Sequence, residues 1–272
     1  MQLSGRVWVV TGAGSGMGRE LVLELLRRGA RVAAVDRNPD GLVDLTALAD
    51  AGGRLSTHVV DITDRAAVRA LPDDVETAHG AVDGLVNNAG IIQPFVPVAE
   101  LDDATIQRVL DVNLMGTLHM VQAFLPRLLA RPEGHVVNVS SMGGFFPFPG
   151  QTMYGASKAA VKLLSEGLYA ELLDTSVRVT VVFPGAVETS ITANSGVEQP
   201  TSDSDSKVPM TAADQAARAI LKGVERNKLH VYVGTDAKVM NLAIKVVPRT
   251  AIRFVQKQMS KHLGAPQLTK ES

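Results

Sequence analysis

The stretch Thr11-Gly12-Ala13-Gly14-Ser15-Gly16-Met17-Gly18 lies between a β-branched run, Arg6–Val10, and an amphipathic stretch, Arg19–Arg28. Glycines between a strand and a helix allow the backbone to approach a pyrophosphate closely, and the helix N-terminus supplies unpaired N–H groups. The spacing is not G-x-G-x-x-G, because Met17 takes the third glycine position when counting starts at Gly12. The stretch predicts a strand-turn-helix unit able to bind a dinucleotide.

Six further β-branched runs follow this unit along the chain. They are Arg31–Asp36, Leu55–Val60, Gly84–Asn87, His135–Ser140, Arg178–Phe183 and His230–Val233. Helical patterns such as Ala104–Leu129 and Met153–Leu173 separate them. Parallel strands need crossover connections, so this alternation predicts a parallel sheet with helices on both faces. We expect one doubly wound α/β domain of the Rossmann type, with about seven buried strands.

Composition excludes several classes of site and partner. The 272 residues include no cysteine, which rules out disulfides, thiolate metal sites and cysteine nucleophiles. The six histidines are scattered without metal-ligand spacing, so we expect no metal site. A net charge of −1 does not suggest a nucleic-acid partner. The N-terminus lacks a signal-peptide pattern, and no apolar run approaches the ~20 residues that span a bilayer, so we expect a cytoplasmic protein.

Asp36 ends the second β-branched run, 18 residues after Gly18. A carboxylate at this place accepts a hydrogen bond from the 2′-hydroxyl of an adenosine ribose and repels a 2′-phosphate. The sequence therefore favours NAD over NADP. NADP remains an alternative cofactor because of Arg37, since a guanidinium beside the ribose can bind a phosphate. A helix-capping role for Asp36 is the structural alternative.

Further landmarks follow in order along the chain. They are Asn87-Asn88-Ala89-Gly90, Val112-Asn113-Leu114, Ser140-Ser141, Tyr154-Gly155-Ala156-Ser157-Lys158, Pro184-Gly185 and Thr189. Together with Thr11-Gly-x-x-x-Gly16-x-Gly18, the ordered set resembles the short-chain dehydrogenase/reductase family over about residues 3–235. The tail after these residues is not part of the shared pattern.

The resemblance implies that Ser141, Tyr154 and Lys158 form the catalytic core, with Asn113 in support. Ser141 is chosen over Ser140 because the family usually places its serine 13 residues before the tyrosine. Tyr154 and Lys158 are four residues apart and share a helix face. A free tyrosine has a pKa near 10. An adjacent ammonium and an oxidised nicotinamide both favour the phenolate, so we expect the pKa of Tyr154 to fall toward neutrality.

The resemblance also implies which residues line the dinucleotide. They are Gly12, Ser15, Gly16, Met17, Asp36, Asp61, Ile62, Asn88, Tyr154, Lys158, Val187 and Thr189. Of these, Asp61 would contact the adenine and Thr189 would hold the nicotinamide carboxamide. The family further implies a homo-oligomer, a dimer or a tetramer.

Apolar side chains flank the predicted active serine. Met142–Pro149 contains three of the seven phenylalanines, and Ile91–Phe95 follows the Asn-Asn-Ala-Gly turn. An apolar, aromatic-lined pocket suits a hydrophobic alcohol or ketone. Packing within the core or between subunits would account for part of this set. A polar segment, Ser190–Pro209, predicts a mobile lid within a catalytic domain of residues 1–235.

Residues 236–272 form a basic amphipathic tail. From Lys238 to Leu263 the chain has six lysines and arginines and no acid, and apolar residues recur at helical spacing from Ile252 to Leu263. Such a helix can cover the substrate pocket, pack on a neighbouring subunit, or make a peripheral contact with an anionic membrane. The sequence leaves these three alternatives open.

The sequence thus predicts an oxidoreductase that moves a hydride between NAD(H) and an apolar secondary alcohol or ketone. Tyr154 would be its general acid and base. An NADP-linked reductase of oxoacyl or steroid-like ketones is the alternative within the enzyme class. A catalytically inactive dinucleotide-sensing protein is the alternative outside it, although such a protein would be expected to lack Tyr154, Lys158 or Ser141.

Overall fold

Seven strands form a parallel sheet in the computed structural model, which describes residues 1–197 and 210–262. They are β1 (Val7–Thr11), β2 (Arg31–Asp36), β3 (Leu55–Val59), β4 (Gly84–Asn87), β5 (Gly134–Val139), β6 (Val177–Pro184) and β7 (His230–Val233). Their order across the sheet is β3-β2-β1-β4-β5-β6-β7, and every pair is parallel. The order reverses between β1 and β4, and ligands of doubly wound sheets bind at such a point, beyond the carboxyl ends of the strands.

Helices connect the strands and cover both faces of the sheet. Those within the described residues are α1 (Gly16–Arg27), α2 (Pro39–Ala49), α3 (Arg65–His79), α4 (Asp103–Leu110), α5 (Thr117–Leu129), α6 (Thr152–Glu171), α7 (Ile191–Asn194), α8 (Ala213–Glu225), α9 (Thr235–Val246) and α10 (Pro248–His262). A π-helical segment, Asp111–Gly116, joins α4 to α5. Among the described residues, no helix combines the length and the apolar character that crossing a membrane requires.

Two hydrophobic clusters hold the layers together, one on each face of the sheet. Val10 and Val86 belong to the cluster beneath α1 and α8, whereas Val9 and Leu85 belong to the cluster beneath α3 and α5. Successive strand residues point to opposite faces, so a strand covered on both faces is apolar throughout. The strands β1 and β4 are buried at every position, and their polar residues, Thr11 and Asn87, stand only at the carboxyl ends.

The expected doubly wound α/β fold is confirmed, with strand ends within about one residue of those predicted. One expectation was wrong: β3 is not a buried strand. It lies at the edge of the sheet, and Val59 is 60% exposed. The predicted helix Ala104–Leu129 is also interrupted by the π-helical segment. Of the predicted lid Ser190–Pro209, the structure describes residues up to Val197, including α7, and residues 198–209 lie outside the described part.

Gly84 leaves room for the single tryptophan of the chain at the centre of the sheet. Trp8 and Gly84 are register partners on β1 and β4, and Trp8 is fully buried. A methyl group on Gly84 would lie 2.3 Å from the Trp8 ring. Since the interior is close-packed, the ring cannot move aside without displacing its neighbours.

We predict that Gly84→Ala destabilises the fold by about 1–3 kcal/mol, because it overpacks a filled core. Gly167→Ala is the matched control: Gly167 lies on α6, and a methyl group there would meet nothing within 4 Å. The control should be neutral or stabilising by up to about 1 kcal/mol, since alanine is the better helix former. Chemical denaturation of both variants checks this, and equal stability of the two would contradict the assignment of Trp8 to this site.

Candidate active site

The turn between β1 and α1 has no space for side chains at its glycines. Gly12 and Gly16 have φ angles of +66° and +51°, which favour glycine. A methyl group on Gly18 would lie 1.9 Å from the Gly12 carbonyl oxygen, so α1 begins directly against the turn. Ser15 precedes α1 without a side-chain cap, so its hydroxyl does not satisfy the first N–H groups of the helix. The turn therefore fits a pyrophosphate, which needs close backbone approach and free N–H groups.

Asn88 ties this turn to the end of β4. Its side-chain Nδ2 donates to the carbonyl oxygen of Thr11 at 3.0 Å, and its backbone N–H donates to Thr11 Oγ1, also at 3.0 Å. Ala89 N–H donates to the same hydroxyl at 3.1 Å. These bonds join the carboxyl ends of β1 and β4, which border the crevice where the strand order reverses. The described contacts of Asn88 are thus with the glycine-rich turn.

Asp36 lies beside the turn, as its position at the end of β2 suggested. Its Oδ2 accepts a hydrogen bond from Gly14 N–H at 2.8 Å, and its Oδ1 accepts one from Asn38 N–H at 2.9 Å. An ionised carboxylate has about four acceptor positions, so two remain for ribose hydroxyls. Asp36 does not cap α2, because the side chain of Asn38 accepts from Asp40 N–H there.

Asp61 and Ile62 come shortly after the edge strand β3, and Asp61 is the residue predicted to contact the adenine. Asp61 Oδ1 accepts from the Thr63 hydroxyl at 2.7 Å, and Ile62 is buried against the π-helical segment at Gly116. A cavity of about 390 Å³ opens here. It is lined by Arg37, Asp61, Thr63, Ala104, Gln107, Arg108, Asp111 and Val112.

The segment after β6 closes over the other end of the turn. A methyl group on Gly16 would lie 3.2 Å from Thr189 Cβ, and Asn194 Nδ2 donates to Ser15 Oγ at 2.8 Å. Val187 forms a parallel bridge with Thr211. Met17 is half-buried and packs part of its side chain against the core cluster beneath α1. The structure therefore brings Ser15, Gly16 and Thr189 together.

Ser141 and Tyr154 converge on Gly143. A methyl group on Gly143 would lie 3.4 Å from both Ser141 Oγ and Tyr154 Cε1. Ser141 Oγ accepts from Gly143 N–H at 3.0 Å, and the Ser141 hydroxyl also forms a hydrogen bond with the Tyr154 hydroxyl. The Ser140 side chain points away from Tyr154: it is buried, and its hydroxyl donates to the Lys158 carbonyl oxygen at 2.7 Å. Ser141 is thus the serine that faces the tyrosine.

Burial changes the proton affinity of Tyr154. It raises the pKa of Tyr154 above the usual value of 10, and the Ser141 hydrogen bond only partly offsets this effect. Desolvation therefore outweighs what the protein's own groups contribute. The lowered pKa expected from the sequence would have to come from the positive charge of an oxidised nicotinamide.

Lys158 is 3% exposed and is held at the end of β5. Its Nζ donates to the Val139 carbonyl oxygen at 3.0 Å, and a methyl group on Gly90 would lie 3.0 Å from the same Nζ. Burial lowers the pKa of Lys158 to about 8, because the ammonium loses its hydration. The side chain is therefore charged in most molecules near neutral pH and increasingly neutral above pH 8.

Asn113 lies in the π-helical segment and is fully buried. Its Oδ1 accepts from Ile91 N–H at 2.8 Å, and its Nδ2 donates to the Ile91 carbonyl oxygen and to Ser157 Oγ, both at 2.9 Å. These bonds join the loop after β4 to α6. In the described structure Asn113 supports the loop and the helix rather than contacting Lys158 through its own amide.

Gln93 is a site residue that the sequence analysis missed. It is fully buried, and its Oε1 accepts from Met153 N–H at 2.8 Å and from Tyr154 N–H at 2.9 Å. Its Nε2 donates to the Gly150 carbonyl oxygen at 2.9 Å. Gln93, which lies in the loop after β4, thus caps the start of α6, the helix that carries Tyr154. Its position three residues after Asn-Asn-Ala-Gly was visible in the sequence, but its partners were not.

The phenylalanines expected to line a pocket are largely used in packing. Phe145 makes edge contacts with Phe183 and Tyr232, at centroid distances of 5.5 and 5.8 Å. Phe146 is 1% exposed and packs with α10. Half-buried Met142 and Phe148 belong to the same cluster and keep part of their surface accessible. The apolar surface beside Ser141 is therefore smaller than the sequence suggested.

One side of the C-terminal tail packs against segments next to the active site. Asp236 Oδ2 accepts from Ala186 N–H at 2.7 Å, directly after Pro184-Gly185. Ala251 and Val255 of α10 are buried against Phe146. The structure thus packs one side of the tail beside the Met142–Phe148 segment of the same chain.

Comparison with known proteins gives the family. The model of the short chain dehydrogenase family matches residues 6–200. The Mycobacterium tuberculosis protein SadH is 36% identical over 267 residues, covering 94% of this chain and 96% of SadH.

Two solved structures share the fold. A short chain dehydrogenase from Burkholderia cenocepacia, in complex with NADP, has a TM-score of 0.79 and 31% identity, covering 94% of this chain and 99% of its own. A short chain dehydrogenase/reductase from Burkholderia phymatum, in complex with NAD, has a TM-score of 0.81 and 25% identity, covering 90% of this chain and 96% of its own. Since sequence and structure agree over nearly the whole chain, the protein belongs to the short-chain dehydrogenase family.

Proposed function

We propose that the protein is an NAD-dependent dehydrogenase of apolar secondary alcohols that also reduces the matching ketones. The observation that carries the proposal is the convergence of Ser141 and Tyr154 on Gly143, with Lys158 one helical turn after Tyr154. A hydroxyl, a phenol and a buried cation at one place are the groups that a reversible proton transfer to an alkoxide requires.

The dinucleotide would lie along the glycine-rich turn with its ribose at Asp36. No side chain fits at Gly12 or Gly18, and Asp36 is held beside Gly14 by a backbone hydrogen bond. Thr189 lies against Gly16 at the other end of the turn. When bound, NAD supplies the acceptor and donor of the hydride.

Tyr154 would take the proton of the substrate hydroxyl during oxidation and return it during reduction. Ser141 would donate a hydrogen bond to the substrate oxygen and stabilise negative charge that develops there. Lys158 would stabilise the ionised phenol, because an opposite charge within about 4–6 Å favours the ionised form. Gln93 and Asn113 would act as positioning residues, since their bonds fix the helix and not the reacting atoms.

An apolar substrate fits the surface next to Ser141. Met142 follows Ser141 directly and belongs to a hydrophobic cluster with Phe148, Met240 and Ile244. Methionine is unbranched and adapts to irregular apolar shapes. This surface favours a hydrophobic alcohol over a sugar or a charged acid.

An NADP-linked reductase of oxoacyl or steroid-like ketones is the second candidate, and one observation favours it. Arg37 and Arg108 line the same cavity as Asp61, beside the edge strand. Guanidinium groups bind phosphates through paired hydrogen bonds. If a 2′-phosphate lies in this cavity, the two arginines would offset its repulsion from Asp36.

We predict that Tyr154→Phe retains cofactor binding and loses turnover by about 10²–10⁴-fold, because the change removes the proton donor and little apolar area. The matched control is Tyr169→Phe, which changes the same residue type at an exposed position on the same helix. Rates of nicotinamide oxidation and reduction with a panel of alcohols and ketones measure the effect. A Tyr154→Phe enzyme with more than about a tenth of the wild-type kcat would show that another group moves the proton.

We further predict a preference for NAD over NADP of roughly 5- to 150-fold in kcat/KM, which corresponds to ~1–3 kcal/mol of screened repulsion at Asp36. Asp36→Ala should narrow or invert this ratio, because it removes the hydroxyl acceptor and the repulsion and leaves Arg37 in place. Asp40→Ala is the matched control, since Asp40 is an exposed carboxylate four residues further along the chain.

Both cofactors are compared in all three proteins with one shared substrate. Equal use of NAD and NADP by the wild type would favour the second candidate. A ratio that Asp36→Ala leaves unchanged would mean that Asp36 does not face the ribose.

A further inference from the structure

The two C-terminal helices each use one side to pack on the body of the protein. On α9 this side includes Met240 and Ile244, and on α10 it includes the buried Ala251 and Val255. All four belong to the cluster around Phe146. The orientation of both helices is therefore set by core packing, and the side chains on their other sides are presented to solvent.

The solvent side of α9 carries exposed apolar side chains along its length, next to exposed lysines. Val239, Leu242 and Val246 recur at i, i+3 and i+7 and are 53%, 64% and 67% exposed. Val247 and Phe254 extend the exposed apolar side chains through the connection into α10. We define the tail surface as Val239, Leu242, Val246, Val247, Ile252 and Phe254. Val239, Leu242 and Val246 share one face of α9, and adjacent exposed apolar side chains of this kind mark an interaction site.

Basic side chains accompany the tail surface. The same two helices expose five lysines and arginines: Lys238, Lys245, Arg249, Arg253 and Lys257. The sequence from Lys238 to Leu263 contains no aspartate or glutamate, although the whole chain has a net charge of −1. Positive charge is therefore concentrated at the tail, and the surface is complementary to an anionic partner.

We propose that the tail surface docks on an anionic lipid bilayer. Exposed apolar side chains on helices fixed to the body can enter the boundary between headgroups and acyl chains, while lysines and arginines bind the lipid phosphates. A second copy of this chain is the less suitable occupant. A two-fold contact would bring this same cationic surface against itself, with like charges opposed.

Membrane docking has a consequence for the substrate, which rests on the proposed function. The inner sides of α9 and α10 belong to the cluster that contains Met142, next to Ser141. Apolar alcohols and ketones partition into bilayers, so docking would hold the active site close to its substrate. Vesicle binding is measured without substrate. A failure of the docking proposal can therefore be distinguished from a failure of the proposed function.

The test is co-sedimentation of the full-length protein with phosphatidylglycerol vesicles and with phosphatidylcholine vesicles at low salt. Leu242→Gln with Val246→Gln removes apolar side chains, and Lys245→Glu with Arg249→Glu reverses two charges. The control for the apolar pair is Val43→Gln with Leu48→Gln, since these residues are 67% and 60% exposed on α2. Lys222→Glu, on α8, is the control for charge reversal.

We expect the wild type to bind phosphatidylglycerol vesicles and both tail variants to bind at least about tenfold more weakly, because one pair loses apolar area buried in the bilayer and the other loses attraction to the anionic headgroups. The controls should bind like the wild type, and all variants should keep the wild-type melting temperature. The proposal is overturned if the wild-type protein does not co-sediment with phosphatidylglycerol vesicles. It is also overturned if the tail variants bind as well as the controls. A lower mass in light scattering for the tail variants, without vesicle binding by the wild type, would assign the surface to a second copy.

Discussion

The active site depends on the hydrogen bond between Lys158 Nζ and the Val139 carbonyl oxygen, which joins α6 to the end of β5. The hydroxyl of Ser140, the residue after β5, donates a second hydrogen bond to the backbone carbonyl oxygen of the same lysine. Because α6 cannot rotate without breaking these buried bonds, the position of Tyr154 one turn earlier is fixed. Burial then acts on both ionisable groups: it raises the pKa of Tyr154 and lowers the pKa of Lys158.

The loop after β4 connects this helix to the dinucleotide crevice. Asn88 holds the glycine-rich turn, whereas Gln93, five residues later, caps the start of α6. Asn113 joins the same loop to Ser157 from the π-helical segment. A single short segment therefore sets the distance between the cofactor turn and the catalytic helix, and proximity of this kind accounts for much of enzymatic rate enhancement. Asp236 bonds the start of the tail to the loop after β6, so the tail is attached to the same crevice.

The fold class and the local turns could be predicted from sequence patterns, whereas individual contacts between residues distant in sequence could not. The glycine-rich turn and Asp36 were found because each depends on a few neighbouring residues. Gln93 was missed, because its partners at residues 150–154 are distant in sequence. The exposure of β3 and the packing of Phe146 under α10 were missed for the same reason: both depend on which elements become neighbours.

We propose that Tyr154 becomes a base at neutral pH only when the positive charge of an oxidised nicotinamide joins that of Lys158. Tyrosinate formation, followed by ultraviolet difference spectroscopy during a pH titration with and without NAD, measures this directly, because the chain has only three tyrosines. We predict that the pKa of Tyr154 lies above 10 in the free protein and falls toward neutrality when NAD is bound, and that Tyr154→Phe abolishes this NAD-dependent transition. A titration that NAD leaves unchanged, or a shifted transition that persists in Tyr154→Phe, would show that bound NAD does not lower the pKa of Tyr154.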